Sequence, residues 1–383
     1  MNTKLIILLI TCSYIFFTSC RKDKGIIMPE STPSNPQISN DIIGMYILNE
    51  GNMNSNMSSL DFYNYSNGTY FKNIYNAANP SSTLGLGDVG NDILIYGSKM
   101  YIIVNASNKL EILDAYTAKR IKKIDIKNGR YISASNGKIY VSSYGGEIEM
   151  GTQSPNGFVA EIDTTTLSIS RTVNVGRQPE QLTIVNNKLY VANSGGYSPP
   201  HYERTVSVID INSFKVIKAI DVAINLHKLQ PDSKGNLYVS SRGDFYQNPS
   251  NLFLINTQKD IVTDTFNIEA SNFTISGDSV YVISSGFNYT SGGNIEAAYQ
   301  IINTQTKKMV SNSFIKDGTQ KDIQIPYGIS VDPINKNIYI SDAKDYVSSG
   351  VINVYDKNGK RIQSFTAGNI PTAFSFLYKS IIK

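Results

Sequence analysis

Side chains suited to proton, metal or group-transfer chemistry are few in this sequence and widely scattered. Of 383 residues, two are His and two are Cys. With so few ligands a Cys/His zinc site is not expected, and no metal is assigned. His201 and His227 each offer a neutral imidazole that suits metal ligation or general base work. The plainer reading of either is a loop His hydrogen-bonded to backbone. The acids Glu147, Glu149, Glu180, Glu203, Asp244 and Asp345 are spread over several segments, and spacing across separate segments does not show pairing. There is no Gly-x-Ser-x-Gly elbow, no His-Glu-x-x-His, no phosphate loop and no Asp-rich calcium loop. Catalysis is the minority reading, no cofactor is expected, and binding chemistry is left.

The binding chemistry is aromatic. The chain holds 25 Tyr and 15 Phe but no Trp. Several Tyr and Phe recur in long Gly- and Ser-rich segments: Tyr144; Tyr197 and Tyr202; Phe245 and Tyr246; Phe287 and Tyr289; Tyr346. Shorter connections add Arg130, Tyr131, Arg177, His227 and Tyr327, and the longer ones add His201 and Arg242. Any single Tyr here reads most simply as local packing. Together, aromatic faces with a few Arg and backbone amides suit a large, semi-polar planar ligand or a sugar.

The elements that must carry these segments are read from a repeat. A Tyr followed by Ile or Val recurs at Tyr46, Tyr101, Tyr140, Tyr190, Tyr238, Tyr281 and Tyr339. Most copies follow a turn signal such as Gly97-Ser98, Asn136-Gly137 or Asn186-Asn187. Each leads to a second apolar strand, usually ending in Asp or Asn (Asp114, Asp163, Asp210, Asn256, Asn303, Asp356), and then to an alternating third. A further strand precedes the next Tyr. Four strands per unit and a spacing in the blade range predict an all-β, seven-bladed β-propeller. The folded part opens on a Tyr strand and closes on Pro371 to Leu377, an inner strand with nothing after it. The first blade is therefore expected to be closed by the C-terminal strand. In such blades the connections carrying the aromatic segments all open on one face. His227 is aligned with Pro179, Pro326 and Pro371, at the mouth of an inner strand.

The first residues read as an address. Lys4 precedes an apolar stretch, Leu5 to Phe17, too short to span a bilayer and suited to a secretory signal over residues 1–19. Thr18-Ser19-Cys20 resembles the lipobox of bacterial lipoproteins, with Phe17 where Leu is usual. That resemblance implies cleavage before Cys20 and acylation of its thiol, leaving no internal disulfide because Cys12 lies in the leader. Acyl chains would anchor the protein to a membrane. Residues 20–41, with Pro29, Pro33 and Pro36, form a tether able to reach about 70 Å when extended. Residues 42–383 are the propeller. The formal charge of +4 is dispersed, which does not suit nucleic acid.

Two stretches carry a closer resemblance. Leu189-Tyr190-Val191-Ala192-Asn193 with Val206-Ser207-Val208-Ile209-Asp210, and Leu237-Tyr238-Val239, resemble the YVTN-type propellers of bacterial secreted and surface proteins. Without Trp, the docking motifs of quinoprotein dehydrogenases and Trp-Asp blades are missing. Lipobox, Pro-rich tether, seven blades and aromatic loop face together resemble the cobalamin-capturing surface lipoproteins of Gram-negative gut bacteria. That resemblance implies a corrinoid on the propeller face, a TonB-dependent outer-membrane transporter as partner and a lipid-anchored, cell-surface location. The alternatives are a surface-layer-like adhesion propeller contacting glycans or proteins and, third, a lactonase- or lyase-like enzyme.

Overall fold

The computed structural model describes residues 42–379 except 149, 152–153 and 290–292, and for 287–288 and 293–295 the backbone alone. The leader, Cys20 and the tether lie outside the described residues.

Each repeat folds into a four-stranded antiparallel sheet, and seven such sheets form a propeller ring. Blades 2 to 7 run in chain order over residues 90–125, 129–177, 179–221, 226–265, 272–311 and 326–369, inner strand first. Blade 1 is split. Its second, third and fourth strands are Ile42–Asn49, Ser59–Asn64 and Thr69–Phe71, and its inner strand is the C-terminal Pro371–Tyr378. The two ends of the chain pair antiparallel, with Tyr46 opposite Ser375 and Ile47 opposite Phe374. Among the described residues, helical structure is confined to short turns at Ile74–Ala78 and Thr319–Asp322.

The recurring residues have separable jobs. The first hairpin of blades 3 and 4 closes in two residues, Asn136-Gly137 and Asn186-Asn187, all at positive φ, which matches the right-handed strand twist. The Asp or Asn ending the third strand caps the next turn. Asp163 Oδ1 accepts from the Thr165 and Thr166 amides at 2.9 and 2.8 Å, and Asn256 and Asn303 do the same for the amides two and three residues on.

In blades 1, 4 and 7 the repeated Tyr ties one blade to the next. Tyr46 Oη donates to the Ala115 carbonyl of blade 2 at 2.6 Å, and Tyr190 Oη to Asp260 of blade 5 at 2.7 Å. Tyr339 of blade 7 meets Tyr65 of blade 1 at 2.8 Å. Tyr101 and Tyr238 share the position, but their buried hydroxyls have no hydrogen-bond partner among the described residues. The core is accordingly a series of apolar layers between consecutive blades. Leu48 and Leu60 of blade 1, for example, pack with Ile93, Met100 and Ile102 of blade 2. No helix among the described residues is long and apolar enough to cross a membrane.

Candidate functional site

The aromatic segments do open on one face, but several residues expected in connections belong to the inner strands. Arg130 and Tyr131 lie in Gly129–Ser135, His227 in Leu226–Pro231 and Tyr327 in Pro326–Val331. Register also corrects the alignment of His227. Pro179, Leu226 and Pro326 open their strands opposite Asn193, Ser241 and Asp342, so His227 matches Glu180 and Tyr327 and not the prolines. Arg130 holds that same second position in blade 3, after Gly129 opposite Ser143. In all four strands a register irregularity follows the opening pair, the kind of feature that re-aims side chains. Here it gathers the four residues at the mouth of the central channel.

Glu180 is the hub of that mouth and is only 1% exposed. Its Oε2 accepts from Arg130 Nε and Nη2 at 3.2 and 3.0 Å, and its Oε1 accepts from Arg242 Nη1 at 3.0 Å and Tyr144 Oη at 2.7 Å. Burial alone would raise this carboxyl, but Arg130 and Arg242 outweigh burial and hold it well below the usual carboxylate range. The Arg130 guanidinium lies over the Tyr144 and Tyr131 rings, 5.1 and 5.7 Å from their centroids. Tyr131 Oη and His227 Nε2 share a 2.9 Å hydrogen bond, and the buried His227 Nδ1 has no partner among the described residues. Burial, reinforced by Arg242 and Lys228, pushes His227 well below the usual imidazole range and keeps it neutral.

Glu50 stands at the same mouth, just past the second strand of blade 1, and accepts from Tyr327 Oη at 2.8 Å. Burial raises its carboxyl, with Tyr327, Arg130, Arg242 and Lys228 pulling the other way. Glu50 and Lys228 were not among the residues singled out from sequence. Lys228 directly follows His227 in an inner strand, and the end of a Tyr strand is shared by Glu50 with no motif to mark it.

The expected aromatic set divides in two. Tyr131 and Tyr144 are 5% and 3% exposed and belong to the packed mouth, not to an open surface. Tyr144 makes an edge contact with the part-buried Tyr197 at 6.2 Å. Around them, Phe245, Tyr246, Tyr289 and Tyr346 are exposed. Tyr246 and Tyr289, from blades 5 and 6, stack with centroids 5.0 Å apart and planes 22° apart. The Tyr289 amide donates to the Phe245 carbonyl at 2.9 Å, tying the two segments together. Tyr346 contacts Tyr327 edge-on at 6.1 Å. The segment carrying Phe287 and Tyr289 is a ribbon and not a loop, since strands Ser279–Asn288 and Gly293–Asn303 extend past the sheet with Asn288 opposite Gly293. The Phe287 side chain lies outside the described residues.

Arg177, His201 and Tyr202 sit farther out. Arg177 ends the outer strand Ser168–Arg177 of blade 3 instead of lying in a connection. Its Nε donates to Glu203 at 2.8 Å and its Nη2 to the His201 carbonyl at 2.7 Å, so it braces the neighbouring segment of blade 4 while the His201 side chain is exposed. Tyr202 is part-buried.

The segment carrying Phe245 and Tyr246 is held by Asp244, whose Oδ1 accepts from the amides of Tyr246 and Asn248 at 2.8 and 2.9 Å. Gly243 has φ +66°, and a Cβ there would lie 1.9 Å from the Asn248 carbonyl oxygen. Gly243→Ala is expected to cost about 2 kcal/mol or more, from left-handed strain plus that clash, read as a lowered midpoint in chemical denaturation.

Among the described residues no group of three or more His, Cys, Asp or Glu is placed to hold a metal ion. The arrangement offers a fixed, charged mouth ringed by exposed aromatic surface, which is the chemistry of recognition.

No curated protein sequence matches this chain. Solved structures share the fold. A hydrazine synthase from Kuenenia stuttgartiensis is 16% identical with a TM-score of 0.57, over 74% of this chain and 88% of that one. A quinonprotein alcohol dehydrogenase-like protein from Bacteroides thetaiotaomicron is 17% identical with a TM-score of 0.58, over 88% and 79%. Residues 43–376, nearly the whole ring, match a domain of unknown function, and the chain belongs to that family, DUF5074.

Proposed function

We propose that this protein is a capture module that binds a large, partly planar ligand across its aromatic face, and that the ligand is a corrinoid of the cobalamin class. The observation that carries the reading is the exposed Tyr246–Tyr289 stack, joined by Phe245 and Tyr346 around a mouth locked by Glu180. Flat aromatic surface at fixed positions binds a macrocycle at little entropic cost. The amide rim of a corrinoid is matched by the part-exposed Arg242 guanidinium and by the exposed Tyr246, Tyr289 and Tyr346 phenols around the mouth. The corrinoid itself is suggested by the resemblance of the layout to cobalamin-capturing surface lipoproteins. In that reading Cys20 carries the acyl anchor at the outer membrane, and the ligand passes to a TonB-dependent transporter.

Titration calorimetry with cyanocobalamin tests the reading. The protein is expected to bind it at micromolar concentration or tighter. The double substitution Tyr246→Ala with Tyr289→Ala is expected to weaken binding about tenfold or more while leaving the ring folded. No binding at micromolar concentration overturns the corrinoid, and binding insensitive to the two tyrosines overturns the face.

A further inference from the structure

Beneath the mouth the inner strands line a central, partly open cavity of ≈ 490 Å³. Each inner strand turns its unpaired edge toward the axis, and side chains from the preceding blade satisfy part of it. Asp92 Oδ2 accepts from the Ile132 amide at 2.9 Å, Gln181 Oε1 from the Leu229 amide at 2.8 Å, and Gln230 Oε1 from the Ile275 amide at 2.9 Å. Asp92 spends its other oxygen on the Ile93 amide at 3.0 Å, and burial pushes its carboxyl up to about 6.

This belt consumes side-chain acceptors and leaves donors. A carboxamide whose oxygen is fixed on a backbone N–H must point its NH₂ elsewhere, and Gln181 and Gln230 both line the cavity. Lys228 lines it too, two residues before Gln230 on the same strand and so on the same side. Gln181 and Lys228 are each the third residue of neighbouring inner strands. The Lys228 ammonium lies 4.5 Å from the Tyr131 ring centroid and forms no ion pair among the described residues. The Asp92 carboxylate shares this cavity and the field of Lys228 but spends both oxygens on backbone N–H groups, so the ammonium and the two carboxamides are left without a contact acceptor of their own.

We propose that the central cavity is a binding site for a small oxyanion, a carboxylate or a phosphate, held by the Lys228 ammonium and the carboxamide N–H groups of Gln181 and Gln230. The site lies inside the ring, involves none of the exposed aromatics, and stands whether or not the outer face takes a corrinoid.

The test uses the full chain, titrated with inorganic phosphate and separately with acetate at constant ionic strength, read by calorimetry and thermal denaturation. Saturable binding of one or both anions is expected, and the anion that binds assigns the class. Lys228→Met removes the charge. Gln230→Glu and Gln181→Glu keep the oxygen that accepts from the Ile275 or Leu229 amide but replace the donor with a second acceptor and add negative charge. All three variants are expected to bind at least about tenfold more weakly, with the Glu variants retaining the wild-type circular dichroism. Absence of saturable binding by either anion overturns the site. An equal response in wild type and the Glu variants also overturns it, because that is general salt stabilisation.

Discussion

A chain ending at Asn369 is expected not to fold to a stable monomer. The missing segment supplies the inner strand of blade 1, which pairs with Ile42–Asn49 along most of its length. It also carries Phe374 and Phe376, both 6.3 Å from the Tyr339 ring, and Leu377, which is buried against blades 1 and 2. Losing one buried Phe costs about 3–5 kcal/mol. Phe374 and Phe376 are part-buried and each costs less than that, but with the buried Leu377 and a strand ladder the loss still reaches into the roughly 5–15 kcal/mol by which whole domains are stable. Removing the strand also leaves Ile42–Asn49 with an open apolar edge, which invites association. Aggregation in size-exclusion chromatography and loss of a cooperative thermal transition are the expected readouts. A synthetic peptide of residues 370–383 added during refolding should restore part of the monomer. A truncated chain that melts cooperatively as a monomer would show that the closure contributes little.

That closure was legible in the sequence because repeats state their own phase. A folded segment opening on Tyr46 and closing on the Pro371 strand leaves one arrangement of blade 1, and the pairing of Tyr46 with Ser375 is that arrangement. The Tyr positions and the Asp or Asn caps were legible for the same reason, since each recurs at one place in successive blades. Most residues of the mouth were named from the sequence, but their convergence was not legible. Arg130, Glu180, His227 and Tyr327 hold one register position in four blades yet are chemically different, so no repeated letter marks them. Their alignment depends on the irregularity after each opening pair, and a shift of a single residue set His227 against the prolines. Arg242 reaches Glu180 from a separate segment, a pairing that only the ring closes. The aromatic face was legible as a face, while the burial of Tyr131 and Tyr144 depends on the charges packed beside them.

Glu180→Ala is the single substitution expected to damage the ring most. It leaves the Arg130 and Arg242 guanidiniums and the Tyr144 hydroxyl facing a vacated acceptor, and the Arg130 side chain is only 12% exposed. Removing one partner from a buried charge network typically costs about 3–5 kcal/mol, mostly from the charges stranded behind it. Glu180→Ala with Arg242→Ala should cost less than the sum of the two single changes, because the second removes a charge that the first strands. The pH dependence follows from the lowered carboxyl of Glu180. Its folded value lies below the usual 4.5, so its stabilising contribution is present above that pH and is lost as pH falls toward the folded value. The gap between wild type and Glu180→Ala in denaturant midpoint should therefore be wide at neutral pH and narrow in acid. A cost under about 1 kcal/mol would mean that the pairs are screened like surface ion pairs. The same variant separates scaffold from surface. Because the mouth underlies the aromatic face, Glu180→Ala should weaken ligand capture and stability together, whereas loss of Tyr246 and Tyr289 should weaken capture alone.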